Sequence, residues 1–142
     1  MKIAISSTGK TLDDEIDARF GRCPYFVIID IDEKEKKIKN VKAIENTAAG
    51  QFGGAGITAS QLVANEKVNA VITTNLGPRA FQVLNQLRIE IYQGQGKVRD
   101  VVQEFMEGKL EKIEEATGPM FMGKQWKPEN NKLKENARKL LV

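Results

Sequence analysis

Histidine is absent from this chain of 142 residues, and cysteine occurs once, at Cys23. One thiol forms no internal disulfide, and a Cys₄ or Cys₂His₂ zinc site cannot be built within one chain. The missing imidazole removes the commonest general base and excludes Ser-His-Asp and Cys-His catalytic devices. No apolar run approaches the roughly 20 residues that cross a bilayer. The opening MKIAISSTGK lacks the long apolar segment and small-residue cleavage site of a signal peptide. A cytoplasmic protein with no membrane segment is therefore expected.

What is present suits one folded domain. Apolar residues make up 41% and charged residues 29%, an ordinary balance for a globular core with a solvated surface. The positive charge is concentrated at one end. Residues 124–142 hold six basic and two acidic side chains, whereas the preceding 123 residues hold 16 basic and 17 acidic. The high isoelectric point thus belongs to the tail and says little about what the body binds.

Periodicity gives a β-β-β-α-β-α-β-α order. KIAIS (residues 2–6), YFVIIDID (25–32) and KIKNVKAIEN (37–46) read as strands. The charged EKEKK connection makes the second and third antiparallel neighbours. The intervening STGKTLDDEIDARFGRCP reads as a long loop. ITASQLVANEK follows a glycine-rich loop as a helix, and VNAVITT is a strand buried on both faces. Ala80, Leu84 and Leu87 then fall at i, i+4, i+7, IEIYQ is a fifth strand, and Val98, Val101, Val102, Phe105 and Met106 mark a third helix. A meander followed by βαβ units implies a mixed sheet with helices on both faces. The boundary falls near residue 116. Residues 1–116 form the α/β domain, and 117–142 form a basic extension in which Leu133, Ala137, Leu140 and Leu141 share one face of a short helix. Met120, Met122 and Trp126 read as anchors of that extension. Without a nucleic-acid module or interleaved aromatics, its six cations do not indicate a nucleic-acid partner.

Four segments, IAIS, IDARFGRCPYFVIIDID, GGAGITASQLV and VITTNLGPRAFQVLNQLRIEIYQGQGKVRDVVQEF, in this order and spacing resemble the dinitrogenase iron–molybdenum cofactor biosynthesis family. That family contains accessory proteins of nitrogenase assembly and small stand-alone relatives. The resemblance covers about residues 1–110. It implies a ribonuclease H-like α/β fold, with a five-stranded mixed sheet in the order 3-2-1-4-5 and strand 2 antiparallel. It also implies a non-enzymatic protein that binds or carries an iron–sulfur cluster or an iron–molybdenum cofactor precursor, with a cluster donor or acceptor protein as partner. A histidine implicated in holding the cofactor in some nitrogenase accessory proteins has no counterpart here.

Two glycine loops are the candidate binding elements. In TTNLGPRAF (73–81), Gly77 is free to adopt a positive φ, and Pro78 suits a first helical turn. The N–H groups of that turn, with Asn75 and Arg79, offer an anion site. GQFGGAGI (50–57) repeats the design with Gly53 and Gly54, but matches neither the dinucleotide fingerprint nor the P-loop. If both loops follow strands on one side of the sheet, they line one crevice. QGQGK (93–97) offers a third glycine turn to the same rim. Each loop also reads as an ordinary structural turn. Cys23, next to Arg22, is the candidate iron ligand, because nearby positive charge favours the thiolate. A lone cysteine is more often a small buried apolar residue. One thiolate falls short of the four ligands a cluster needs; two chains could each contribute one in a homodimer, with exogenous thiol completing the shell. The acids Asp13, Asp14, Glu15 and Asp17 raise a metal-dependent nuclease, but Ile3 and Ile5 occupy the first strand with no Asp between them. A metal-free interaction or regulatory module on the same fold is the alternative function.

Overall fold

The computed structural model describes residues 1–116. The basic extension, with its helical reading and the anchors Met120, Met122 and Trp126, lies outside the described residues.

Strand β1 (Lys2–Ser7) runs through the middle of the sheet. It pairs antiparallel with β2 (Tyr25–Asp32), setting Ile3 opposite Ile29 and Ile5 opposite Val27. On its other side it pairs parallel with β4 (Ala70–Thr73). β3 (Lys37–Glu45) flanks β2 antiparallel, with a bulge at Asp30/Ile31, and β5 (Glu90–Gln93) flanks β4 in parallel. The expected order 3-2-1-4-5 is therefore present, but the sheet has six strands rather than five. The addition is β6 (Glu111–Lys112), antiparallel to β5. Two charged residues carry no strand periodicity, so β6 is fixed by its partner edge rather than by local pattern.

The strand alternation sends side chains to two cores. Ala4, Phe26, Ile28, Val71 and Ile91 meet α1 (Ala55–Asn65) and α2 (Pro78–Gln86) through Ala59, Val63, Ala80 and Leu84. Ile3, Ile5, Val27, Ile29 and Ile72 meet α3 (Val98–Met106) through Val98, Val101 and Val102. All four residues of β4 are buried, as a parallel strand covered on both faces requires. Leu87 departs from the helical pattern. The helix ends at Gln86, Arg88 turns left-handed (φ 60°), and the Leu87 side chain is left half-exposed.

β1, β3 and β4 point the same way, so the segments that leave them emerge on one edge of the sheet. The long loop after β1 is pinned across that edge. Asp17 N–H donates to Ser6 O (2.9 Å), and Arg19 bridges to Asn75.

Candidate crevice at the strand ends

Three segments meet beyond the carboxyl ends of β1, β3 and β4. They enclose an open crevice of about 500 Å³, lined by 18–22, 54–57, 75 and 77–80. This is where open α/β sheets bind ligands, and the volume suits a small ligand.

Two helix N-termini form its walls. Gly54 precedes α1 and Gly77 precedes α2, and neither helix has a side-chain cap. The first helical bonds run from Thr58 N–H to Gly54 O (3.1 Å) and from Phe81 N–H to Gly77 O (3.0 Å). The N–H groups of Ala55, Gly56 and Ile57, and of Arg79 and Ala80, precede those bonds and have no partner within their helices. Both dipoles present their positive ends to the same space. The helices meet closely because residue 56 is glycine: a Cβ there would lie 3.2 Å from Ala80 Cβ. Gly21 brings the first loop equally close. A Cβ on it would lie 2.9 Å from the Gly56 nitrogen.

Of the two expected glycine effects, one is present. Gly54 is left-handed (φ 72°), a conformation that favours glycine. Gly77 is extended (φ −71°, ψ 164°), so its expected positive φ is not used, and a Cβ there would meet nothing within 4 Å. Pro78 occupies the first helical turn, as read from the sequence.

Three guanidinium groups border the crevice. Arg79 is exposed at its mouth, with no ion-pair partner among the described residues. Arg19 is held in place by Asp17, which is 6% exposed. The Asp17 carboxylate accepts from Arg19 Nε (3.1 Å), Nη2 (3.0 Å) and backbone N–H (2.8 Å). Burial pushes the Asp17 carboxyl up, but the Arg19 hydrogen bonds outweigh it and hold the acid below its ordinary 3.8. Arg22 Nη1 donates to Ala49 O (3.0 Å) and to Gln51 O.

The structure thus brings Gly54, Asn75, Gly77 and Arg79 together, but not the rest of the expected set. Gly53 stands exposed one residue outside the lining. The 93–97 turn packs against the first half of the long loop after β1, where Gly96 O accepts from Ile16 N–H (2.8 Å), and forms no part of the crevice rim. Cys23 is fully buried behind Phe20 and donates its thiol to Phe20 O (3.3 Å). Arg22 was expected to favour the thiolate. Instead its guanidinium grips loop carbonyls, and burial pushes the thiol up to about 12. The acidic run is also dispersed. Asp14 accepts from Thr11, Asp13 pairs with Arg99 (3.1 Å), and Asp17 holds Arg19. Among the described residues no three Cys, Asp or Glu side chains converge.

Arg19, Gly21 and Gly56 escaped the sequence reading. The Asp-Ala-Arg spacing in IDARFGRC was the available signal for the Asp17–Arg19 pair. The close approaches at Gly21 and Gly56 join segments distant in sequence and have no local signature.

The family model described as dinitrogenase iron-molybdenum cofactor matches residues 1–108. The chain belongs to that family. Membership associates it with the chemistry of the iron–molybdenum cofactor. The uncharacterized protein MJ0580 of Methanocaldococcus jannaschii is 42% identical over 115 residues, covering 80% of this chain and 92% of that protein. The apo form of the orange protein from Desulfovibrio gigas superposes with a TM-score of 0.72 at 32% identity, covering 82% of this chain and 96% of that one. The structure of MJ0327, also from Methanocaldococcus jannaschii, gives a TM-score of 0.63 at 30% identity over 81% and 96% of the two chains. The relatives share the fold, and the match to the family model spans all three crevice segments. Among the described residues no helix is long and apolar enough to cross a membrane.

Proposed function

We propose that this family member is a non-enzymatic carrier of a preassembled, anionic metal–sulfur cluster, of the kind from which the iron–molybdenum cofactor is made, and that the crevice is its seat. One observation carries the reading. The crevice is walled by two uncapped helix N-termini and bordered by Arg19, Arg22 and Arg79, yet among the described residues no Cys, Asp or Glu side chain lines it. Such a lining attracts negative charge but offers no metal ligand. It fits cargo whose metals are already saturated by sulfide. It does not fit a cluster built on protein thiolates.

The roles follow from position. The N–H groups of α1 and α2 donate to the sulfur surface, with Gly54 and Gly77 leaving the backbone open to close approach. Asn75 closes the floor. Arg79 meets the anion at the mouth, and Arg19 does so from an orientation set by Asp17. Cys23 packs the wall from behind; iron ligation, alone or across a homodimer, would require it to leave the core. Among the described residues no acid lines the crevice, and Asp17 beside it is committed to Arg19, which suits carriage rather than catalysis. An open mouth suits transfer from a donor protein to an acceptor.

The test is anaerobic incubation of the full chain with tetrathiomolybdate and, separately, with iron and sulfide, followed by desalting and metal analysis. Stoichiometric molybdenum is expected from tetrathiomolybdate on the wild type and on Cys23→Ala, with loss in an Arg19→Ala/Arg79→Ala double variant, and no stable iron is expected from iron and sulfide. Loss in Cys23→Ala alone would restore the thiol as ligand. A metal-free wild type would favour the interaction module.

A further inference from the structure

Taking the crevice as the cluster seat, as proposed above, we infer that Phe52 closes over the cargo and makes the site select weakly hydrated, sulfur-surfaced anions over hydrated oxyanions. The other four phenylalanines among the described residues, Phe20, Phe26, Phe81 and Phe105, are buried or half-buried. Phe52 is 105% exposed and touches no core. Its place is the tip of the loop that becomes the crevice wall at Gly54.

The loop has a buried root and an exposed tip whose ring alone is unheld. At the root, Asn46 Nδ2 donates to Cys23 O (2.8 Å) and Gly21 O (3.2 Å), its Oδ1 accepts from Ala48 N–H (3.1 Å), and Ala48 is fully buried. At the tip, Gly50 and Gly53 flank Gln51 and Phe52, Gln51 N–H donates to Ala48 O (3.0 Å), and Gln51 Nε2 donates to Gly53 O (2.6 Å). The backbone is thus held on both sides of Phe52, while the ring, which packs on nothing, turns about its own side-chain bonds at little cost. Arg22 ties the two regions together. It lines the crevice and holds the carbonyls of Ala49 and Gln51, so the tip is tethered beside the mouth rather than free to swing away.

The rest of the lining explains what a ring at that place does. Ala18, Phe20, Ala55, Ile57, Pro78 and Ala80 give the crevice apolar walls between its cationic groups. The N–H and guanidinium groups serve either kind of anion, but the oxygens of a hydrated oxyanion that face these apolar walls lose water with no hydrogen bond in its place. A large sulfide-surfaced anion loses less, and an aromatic ring laid over it buries apolar area on both partners. Phe52 supplies the movable apolar surface at the rim.

Tetrathiomolybdate and molybdate share charge and tetrahedral shape and differ in the surface they present, so they isolate this effect. Affinities of both for the full chain are compared between wild type and Phe52→Ala. The variant should fold normally, because the ring packs on nothing. The expected result is about tenfold weaker tetrathiomolybdate binding with molybdate unchanged. Equal weakening of both anions, or no weakening of either, overturns the role of Phe52 while leaving the crevice as the site. A wild type that binds neither anion overturns the crevice reading, and the role of Phe52 with it.

Discussion

Gly56 and Ala80 bring the N-termini of α1 and α2 together, with only 3.2 Å between Ala80 Cβ and the place a Gly56 Cβ would take. Gly21 lies against the same junction, its own missing Cβ 2.9 Å from the Gly56 nitrogen. Three segments therefore meet nearly backbone to backbone, and their amide groups converge on one space. Side chains larger than hydrogen would hold the two dipoles apart and weaken their joint field.

The first prediction concerns that junction. Gly21→Ala places a methyl group against backbone atoms that cannot rotate away, and the expected cost is about 1–3 kcal/mol. Gly56→Ala meets a side-chain methyl and also gains up to about 1 kcal/mol of helix preference, so its net effect is smaller. Urea unfolding of both variants checks the ranking; a Gly21→Ala chain as stable as wild type would show that the loop can back away.

The second prediction follows from the Asp17–Arg19 pair. Asp17 titrates below 3.8 in the fold, so its contribution is present above that value and is lost as pH falls through the folded pKa. Asp17→Asn should remove that acid-side slope. It should also cost about 1–3 kcal/mol at pH 7, by trading charge-assisted bonds for weaker ones. Arg19 would remain but lose its fixed orientation, so anion affinity should fall as well. Unfolding curves from pH 7 to pH 3 for both chains test the slope, and identical curves would remove Asp17 from the explanation.

The sequence made the architecture legible wherever local pattern and tertiary environment agreed. The apolar run of β2, the all-apolar β4 and the stripe of Val98, Val101 and Val102 each had one way to bury their side chains. β6 was invisible because Glu111 and Lys112 are recruited by an edge, not by their own preference. The site was legible in part for the same reason. Gly54, Gly77, Pro78 and Arg79 sit in local strand-to-helix grammar. Arg19 and Gly21 matter only because the loop folds back across the sheet. For Cys23 the sequence supplied a neighbouring charge but not a direction. Arg22 points at carbonyls, and desolvation decides the thiol.

Cys23 gives the third prediction. Its thiol is raised from 9.0 to about 12 in the fold. The unfolded chain releases this proton above about pH 9 while the folded chain keeps it. The stability due to the buried thiol is therefore complete below pH 9 and is lost as pH rises towards 12. The expected slope is about 1.4 kcal/mol per pH unit within that window. Lysines and tyrosines titrate there too, so the quantity to measure is the difference between wild type and Cys23→Ala. A difference that stays flat from pH 8.5 to 10.5 would mean that the thiol is not desolvated. The same burial predicts that a thiol reagent at pH 8 modifies the native chain far more slowly than the chain in denaturant.

Gly54 and Gly77 give the fourth prediction, because they look alike in sequence and differ in structure. Gly54 needs its left-handed backbone, so Gly54→Ala should cost about 1 kcal/mol through strain. Gly77 has a backbone that alanine also adopts, and its Cβ would enter open space, so the gain of about 0.4–1 kcal/mol from restricting the unfolded chain is set against the poorer helix capping of alanine, and Gly77→Ala should change stability by less than about 0.5 kcal/mol. If the cluster seats against the α2 N-terminus, the added methyl keeps it from the amides of Arg79 and Ala80. Gly77→Ala should then match wild type in stability yet bind tetrathiomolybdate several-fold more weakly. Unchanged affinity would place the ligand away from α2, nearer α1 and Arg19.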